Sequence, residues 1–274
     1  VDTLPLYVRD NSESGLLTLF RQQEAAKRFG VTIADVEEVA LVRGILPARY
    51  QRNRRTISVA DQLALFRSHV AIVGCGGLGG YIIEELARLG VGKLTVIDPD
   101  SFEEHNLNRQ ILSTVANIGV PKVLVAAERI RSINPAVQVT THESRLSGDN
   151  GAFLLNKCSV VVDALDSIPG RRTLAQVCIE EGVPLVHGSI AGWYGYVTTR
   201  LPSAGTFQGM FNGAVSSKGV EQEYGNPSFT PALVASLQAA EVCKLLLGKG
   251  RPLIGRSLMI DLLDMEIQEL AIQE

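Results

Sequence analysis

Cysteine is scarce and scattered in this chain of 274 residues, at Cys75, Cys158, Cys178 and Cys243, and no C-x-x-C spacing occurs. That argues against a disulfide frame and against a structural zinc site, and it suits a reducing, cytoplasmic compartment. Histidine is equally thin, at His69, His105, His142 and His187, so no metal cluster is readable from spacing. Neither sign of charge is in large excess: the net charge is −3, which gives no general pull toward nucleic acid or an anionic membrane. No uncharged apolar run approaches the roughly 20 residues that span a bilayer. The first residues carry no basic-then-apolar signal pattern. What the chain does have is bulk. It is 46% hydrophobic and 20% charged, enough to bury a large core, and its length suits one large domain with an appendage.

The richest stretch is residues 70–110. Val70, Ala71, Ile72 and Val73 form a short all-apolar run, as in a strand buried on both faces of a parallel sheet. Gly74, Gly76 and Gly79 then give G-x-G-x-x-G spacing, with Gly77 and Gly80 loosening the turn. Such backbone can turn tightly, approach a phosphate and pack a helix against the strand. Ile82, Ile83, Leu86 and Leu89 come next at helical spacing, so unpaired amides at the helix start face whatever sits over the glycines, which favours an anion. A second strand over 94–97 ends at Asp98, nineteen residues after Gly79, where an acid can accept from ribose hydroxyls. Cys75, inside the loop, reads as a small buried residue rather than a nucleophile.

The glycines and Asp98 alone would also fit a nicotinamide-dependent oxidoreductase. The residues after Asp98 favour a triphosphate: Asp98-Pro99-Asp100 runs into Asn106-Leu107-Asn108-Arg109-Gln110, and Pro121-Lys122 opens a helix. Cations and amides there suit three phosphates better than a hydride carrier, and the second half shows no clear hydride-transfer acid with a substrate arginine.

Elsewhere the pattern is consistent with a doubly wound, mostly parallel sheet of Rossmann type with helices on both faces. Residues 1–48 form a short helical extension, with an amphipathic stretch over 16–29 and a capping box at Thr32-Ile33-Ala34-Asp35. Residues 49–274 form the main domain. Helices are expected at 61–68, from Lys122 to Asn134-Pro135, at 149–156, 172–181 and 231–247. Strands are expected at 137–141, 159–162, 184–187, 192–201 and, as an edge strand, 258–262. The 231–247 helix reads as a core helix whose two charges, Glu241 and Lys244, reach the surface. Residues 202–230 are rich in Gly, Ser, Asn and Pro and read as a long functional or mobile loop. The strand over 159–162 runs into Asp163-Ala164-Leu165-Asp166-Ser167. Carboxyl ends of parallel strands line ligand crevices, so Asp166 is a site candidate, and Asp163 reads as structural, bonding loop amides. The cluster Arg43, Arg49, Arg52, Arg54 and Arg55 reads first as a solvated basic face.

Five ordered motifs, VAIVGCGGLGG, D-x-D, N-x-x-RQ, G-x-PK and DALDS, closely resemble the ThiF/MoeB/HesA superfamily of ubiquitin-activating-enzyme-like adenylyltransferases over residues 49–274. The resemblance implies ATP and Mg²⁺ bound on the doubly wound sheet. It also implies adenylation of the C-terminal Gly-Gly of a small ubiquitin-fold sulfur carrier, for thiamine- or molybdopterin-type cofactor synthesis. A tRNA base or a peptide remains open as the acceptor. By the same resemblance Asp98 holds ribose, and Gly74, Gly76, Gly77 and Gly79 make room for phosphates. Asn106, Arg109 and Lys122 bind triphosphate oxygens, Asp166 holds Mg²⁺, and Asp100 assists the metal or shapes the loop. Tyr50-Gln51-Arg52-Asn53 is similar to the family's Y-x-R-[NQ] segment, which makes Arg52 a charge supplied across a homodimer. The sequence also departs from the pattern: Ser167 replaces a frequent asparagine, no cysteine lies between Cys178 and Cys243, and the paired zinc cysteines are missing. A thioester on the 202–230 loop and a structural zinc are therefore not expected.

Overall fold

The computed structural model describes residues 3–203 and 224–272. The N-terminal part contains α1 (Leu4–Asp10), β1 (Leu16–Leu17), α2 (Leu19–Phe29), α3 (Ile33–Val42) and β2 (Leu46–Pro47), with β1 and β2 paired in parallel. The stretch over 16–29 thus divides, because Thr18 caps α2 and leaves Leu16 and Leu17 free to pair. The capping box at Thr32 forms: Asp35 N–H donates to Thr32 Oγ1 at 3.1 Å and Thr32 N–H to Asp35 Oδ2 at 2.8 Å. Tyr7, Val8, Leu17, Ala25, Val36 and Ala40 bury their own small core.

A polar clasp joins this part to the rest. Glu37, fully buried, accepts from Tyr50 Oη at 2.8 Å and pairs with Arg49, which also donates to Gln22 Oε1 at 2.8 Å. Asn134 Nδ2 in turn donates to Tyr50 Oη at 2.7 Å. Arg49 is therefore tied inward, while Arg52, Arg54 and Arg55 stay exposed as a basic face.

The main body begins with α4 (Val59–Arg67), started by a second capping box between Ser58 and Asp61, two residues earlier than apolar spacing suggests. Then come β3 (His69–Val73), α5 (Gly77–Leu89), β4 (Lys93–Ile97), α6 (Lys122–Ile133), β5 (Gln138–His142), α7 (Gly148–Leu154), β6 (Val160–Asp163) and α8 (Ile168–Glu180). The chain continues through β7 (Leu185–Ala191), β8 (Tyr194–Arg200), α9 (Phe229–Leu247), β9 (Arg256–Asp261) and β10 (Glu266–Ala271). These strands make one eight-stranded sheet in the order β10-β9-β8-β7-β6-β3-β4-β5. β5, β4, β3, β6 and β7 are parallel, and β8, β9 and β10 continue the sheet antiparallel.

The all-apolar strands are buried on both faces. Val70, Ile72, Val96, Val160 and Val162 pack on one side with α5, α6 and α9; Ala71, Val73, Ile97 and Val161 pack on the other with α7 and α8. Each fully buried Val or Ile side chain contributes roughly 1.5–3 kcal/mol. The fold is therefore the doubly wound, mostly parallel α/β architecture.

Two further details differ from the sequence expectations. The strand near 258–262 is not an edge: β9 lies between β8 and β10, and β10, with all six residues exposed, is the edge. Because β10 buries nothing on either face, its sequence carries no alternation to find. Glu241 does not reach the surface. It is 2% exposed, and its Oε2 accepts from Leu253 N at 2.6 Å and Thr199 Oγ1 at 2.7 Å while Lys244 pairs with Oε1. The long loop expected over 202–230 lies mostly outside the described residues.

By length and composition α9 could cross a membrane, with 19 residues and a mean hydropathy of 1.3. It is a core helix: Val234, Ala235, Gln238, Ala239 and Val242 are buried where it packs on the sheet and on α5, and Gln238 Nε2 donates to Asp163 O at 2.9 Å.

Candidate active site

The order β4-β3-β6-β7 places the reversal of winding between β3 and β6, and crevices open there at the carboxyl ends of the strands. A cleft of about 670 Å³ occupies that position. Its walls come from the turns after β3 (Gly74, Gly76, Gly77), β4 (Asp98, Asp100), β5 (Ser144, Arg145) and β6 (Ala164 to Ser167).

The glycine loop is shaped by one close crossing. Gly74 has φ +101°, and a Cβ on Gly79 would lie 1.8 Å from the Gly74 carbonyl oxygen. Only glycine lets α5 begin there, so the helix starts at Gly77, earlier than the apolar spacing from Tyr81 implies. Gly76 caps α5 without a side-chain bond, and the first turns of α6 and α8 also lack a side-chain cap. All three helix starts contribute to the cleft, through Gly77, Lys122 and Pro169. The positive ends of three helix dipoles thus border one space, an arrangement suited to a polyanion.

Asp98 fixes the loop to the next strand. Its Oδ2 accepts from Cys75 N at 2.6 Å and its Oδ1 from Asp100 N at 2.8 Å. Burial raises its pKa, against the nearby Lys122 and the two amides, which hold it down. Each oxygen keeps a lone pair for a further donor. Lys122, 7% exposed, places Nζ 3.3 Å from Asp100 Oδ2. Arg109 is half-buried, donating from Nη1 to His105 O at 3.1 Å and Asn108 Oδ1 at 2.8 Å. Burial lowers its pKa, and the neighbouring Asp166 carboxylate partly offsets that. Asp166 is exposed in the cleft lining.

The turn carrying Asp166 is held at several points. Asp163 Oδ1 accepts from Leu165 N at 3.0 Å, Arg171 Nη2 donates to Leu165 O at 2.7 Å, and Ala164 N donates to Val73 O at 2.9 Å. His187 Nδ1 sits 2.6 Å from Asp163 Oδ2. Burial lowers the pKa of His187 despite the Asp163 carboxylate, so its ring is neutral near pH 7 and donates to Asp163.

Gly74, Gly76, Gly77, Asp98, Asp100, Arg109, Lys122 and Asp166 therefore share one cleft. Asn106 does not join its lining. It is 3% exposed, and its Oδ1 accepts from Glu103 N at 2.9 Å, capping the short helical turn that presents Arg109. Gly79 also lies behind the lining, at the crossing with Gly74. Arg52 lies outside the cleft, on the exposed basic face.

Several lining residues escape sequence reasoning. Arg145 comes shortly after the carboxyl end of β5, where the strand-end rule could have found it; Gln110 sits in the N-x-x-RQ motif beside Arg109. Asn226 comes from the 202–230 stretch and has no signal, and its backbone carbonyl accepts from Asn108 Nδ2 at 3.3 Å.

Among the described residues no three His, Cys, Asp or Glu side chains come together to hold a metal ion. Mg²⁺ that arrives on a nucleotide needs only one or two carboxylates beside phosphate and water, and Asp166, with Asp100 elsewhere in the lining, meets that requirement. The four cysteines are free thiols; Cys75, Cys158 and Cys178 are buried and Cys243 partly so. Burial raises all four, Cys243 to about 11 and Cys158 to about 12, so none is a thiolate near neutral pH.

The model of the ThiF family matches residues 50–274. The SAMP-activating enzyme E1 of Haloferax volcanii is 39% identical to this chain over 224 residues, covering 80% of the chain and 83% of that protein. The sulfur carrier protein adenylyltransferase of Thermus thermophilus is 36% identical over 223 residues, covering 77% and 81%. Among solved structures, E. coli TcdA in complex with AMP aligns with a TM-score of 0.63 at 26% identity, over 73% of this chain and 95% of that one.

Proposed function

This chain belongs to the ThiF family, and on that premise we propose that it activates the C-terminal glycine carboxylate of a small ubiquitin-fold sulfur carrier as an acyl-adenylate, for sulfur transfer in cofactor biosynthesis of thiamine or molybdopterin type. The chain is an adenylyltransferase and ATP is its nucleotide. The observation that carries the reading is the convergence of the glycine loop, Asp98, Arg109, Lys122 and Asp166 in one cleft faced by three helix starts.

In adenylation, a carboxylate oxygen attacks the α-phosphorus, and the bond from that phosphorus to the bridging oxygen of pyrophosphate breaks. Carboxylate, triphosphate and leaving pyrophosphate are all anionic, so the task is neutralisation and alignment, with no proton to move. Asp98 accepts from the ribose hydroxyls with its remaining lone pairs. Gly76 and Gly77 let the phosphates approach the amides of α5. Arg109 and Lys122 neutralise phosphate oxygens, and Asp166 would hold the Mg²⁺ that accompanies ATP, an ion that would neutralise further phosphate charge. Asn106 serves by holding the turn that aims Arg109.

Arg52 of a second copy in a homodimer reaches into this cleft and adds a further positive charge beside the phosphates. The clasp of Glu37, Arg49 and Tyr50 lies immediately before it and fixes where that arginine begins. With no cysteine between Cys178 and Cys243 and the four thiols protonated, the acyl-adenylate passes to a sulfur donor outside this chain rather than to a thioester on it.

Calorimetric titration with ATP plus Mg²⁺, and separately with NAD⁺ and NADH, tests the nucleotide. Magnesium-dependent ATP binding that weakens in Asp166→Ala is expected. Tight NAD⁺ or NADH binding without an ATP signal would overturn the reading.

A further inference from the structure

Glu37 sits on α3, outside the residues that the ThiF family model matches, and it is 0% exposed. A carboxylate there is costly to desolvate, and well-packed apolar residues in place of a buried ion pair often leave a protein as stable or more so. Both oxygens are nevertheless committed to the residues that open the main domain: Oε2 pairs with Arg49, and Oε1 accepts from Tyr50 Oη at 2.8 Å. Tyr50 is held from the far side as well, because Asn134 Nδ2 donates to its Oη at 2.7 Å and to Ala87 O at 3.0 Å. Its hydroxyl thus joins α3 to the last turn of α5 and the end of α6. Gly90 leaves room for it, since a Cβ there would lie 2.4 Å from Tyr50 Oη.

The main chain of Tyr50 closes the turn that follows: its carbonyl accepts from Asn53 N at 2.9 Å, and Asn53 O accepts in turn from Ile57 N at 2.8 Å. Arg52 lies inside that turn, exposed, and among the described residues nothing holds its side chain. Where its side chain starts is therefore set by its backbone, and that backbone is set by Tyr50. Directed bonds in a satisfied buried network fix one orientation, where apolar packing alone permits several.

We propose that Glu37 is a positioning residue for the cleft of the partner subunit: by fixing Tyr50 it fixes the turn from which Arg52 reaches across the dimer. The N-terminal extension then completes the other copy's site, in addition to burying its own small core. The inference rests on the homodimer reading above and deepens it. Glu37 touches no substrate, and no bond is made or broken there.

The test uses mixed dimers, purified through two different affinity tags and assayed by pyrophosphate exchange with ATP, Mg²⁺ and a ubiquitin-fold carrier ending in Gly-Gly. One copy carries Asp166→Ala, so it supplies an intact Arg52 but no working cleft; the other carries Arg52→Ala, so its cleft depends on the first. Each variant alone should be inactive, and the mixed dimer should regain exchange through its one complete cleft. Glu37→Gln is then added to either copy. Placed on the copy that supplies Arg52, it should lower exchange about tenfold, the scale of loosening one charge-assisted contact, with a much smaller effect on the other copy. Tyr50→Phe, which keeps the ring and loses the hydroxyl, should show the same asymmetry. Thermal unfolding of each variant shows whether it is folded, and a merely structural clasp would lower exchange equally from either copy. Equal losses in the two arrangements, or no loss in either, would overturn the proposal. Wild-type exchange without recovery in the mixed dimer would refute the arginine supplied in trans, and this inference with it; no exchange in wild type would refute the adenylation reading itself.

Discussion

Replacing Asp98 with Asn probes how the glycine loop is held. Asp98 is 5% exposed, and its two carboxylate oxygens accept from Cys75 N at 2.6 Å and Asp100 N at 2.8 Å. An asparagine can keep only one of these bonds. Whichever way its amide turns, an NH₂ donor then faces a backbone N–H donor, and that N–H loses its partner in a buried place. A hydrogen bond to a charged acceptor contributes about 1.5–3 kcal/mol, and the orphaned donor adds a desolvation cost. Asp98→Asn should therefore lower the unfolding free energy by about 2–3 kcal/mol. For a chain of this size that shifts the melting temperature down by roughly 4–5 °C. Urea denaturation monitored by circular dichroism measures the first quantity and a thermal scan the second. ATP affinity should fall as well, because the same atoms are left to receive the ribose hydroxyls. Unfolding free energy within about 0.5 kcal/mol of wild type would refute the reasoning, since the two backbone bonds would then contribute nothing that an amide could not supply.

Single contacts elsewhere in the fold give three more expected outcomes. Gly79→Ala places a Cβ 1.8 Å from the Gly74 carbonyl oxygen, backbone against side chain with no flexible group to yield. The loop must shift, at a cost of about 1–3 kcal/mol, and ATP binding measured by calorimetry should be lost even where the protein remains folded. Glu241→Ala leaves Leu253 N and Thr199 Oγ1 without their acceptor and Lys244 without its partner, and should destabilise by about 3–5 kcal/mol in urea denaturation, with Glu241→Gln intermediate. The buried His187 has a folded pKa below its ordinary value of about 6.5. As pH falls through about 6.5 the unfolded chain takes up a proton that native His187 resists, so stability is full above that pH and is lost below it. Because His69 is lowered by burial in the same sense, the readout is the difference between proteins. Denaturation at pH 7.5 and 5.5 should show a smaller acid loss in His187→Gln than in wild type, and equal losses would show that His187 is not the group responsible.

Much of the fold is legible in the sequence because it rests on short-range signals. The all-apolar run at 70–73, stopped by glycine, suits a strand covered on both faces, and the capping box at Thr32 is written in four residues. The cleft is legible for a related reason. Chain topology brings strand ends together, and Gly74, Asp98 and Asp166 each lie at or just beyond the end of a strand.

Features that escape the sequence depend on contacts between distant segments. The role of Glu241 is set by Thr199 and Leu253, which no local pattern connects to a helix charge. The inward turn of Arg49 depends on Glu37 and Gln22, so a run of arginines read alone looks like a solvated face. The motif groups Asn106 with the phosphate ligands, whereas its side chain is already occupied by the amide three residues before it. β10 leaves no trace because an edge strand exposed on both faces has no hydrophobic period.

Pyrophosphate exchange asks most directly whether this cleft joins a carboxylate to the α-phosphate of ATP, using labelled pyrophosphate, ATP, Mg²⁺ and a small ubiquitin-fold carrier ending in Gly-Gly. The expected result is exchange that requires the carrier's terminal glycine and is abolished in Arg109→Ala and in Asp166→Ala, with both variants folded. Exchange that proceeds equally without the carrier, or that survives in either variant, would contradict that chemistry.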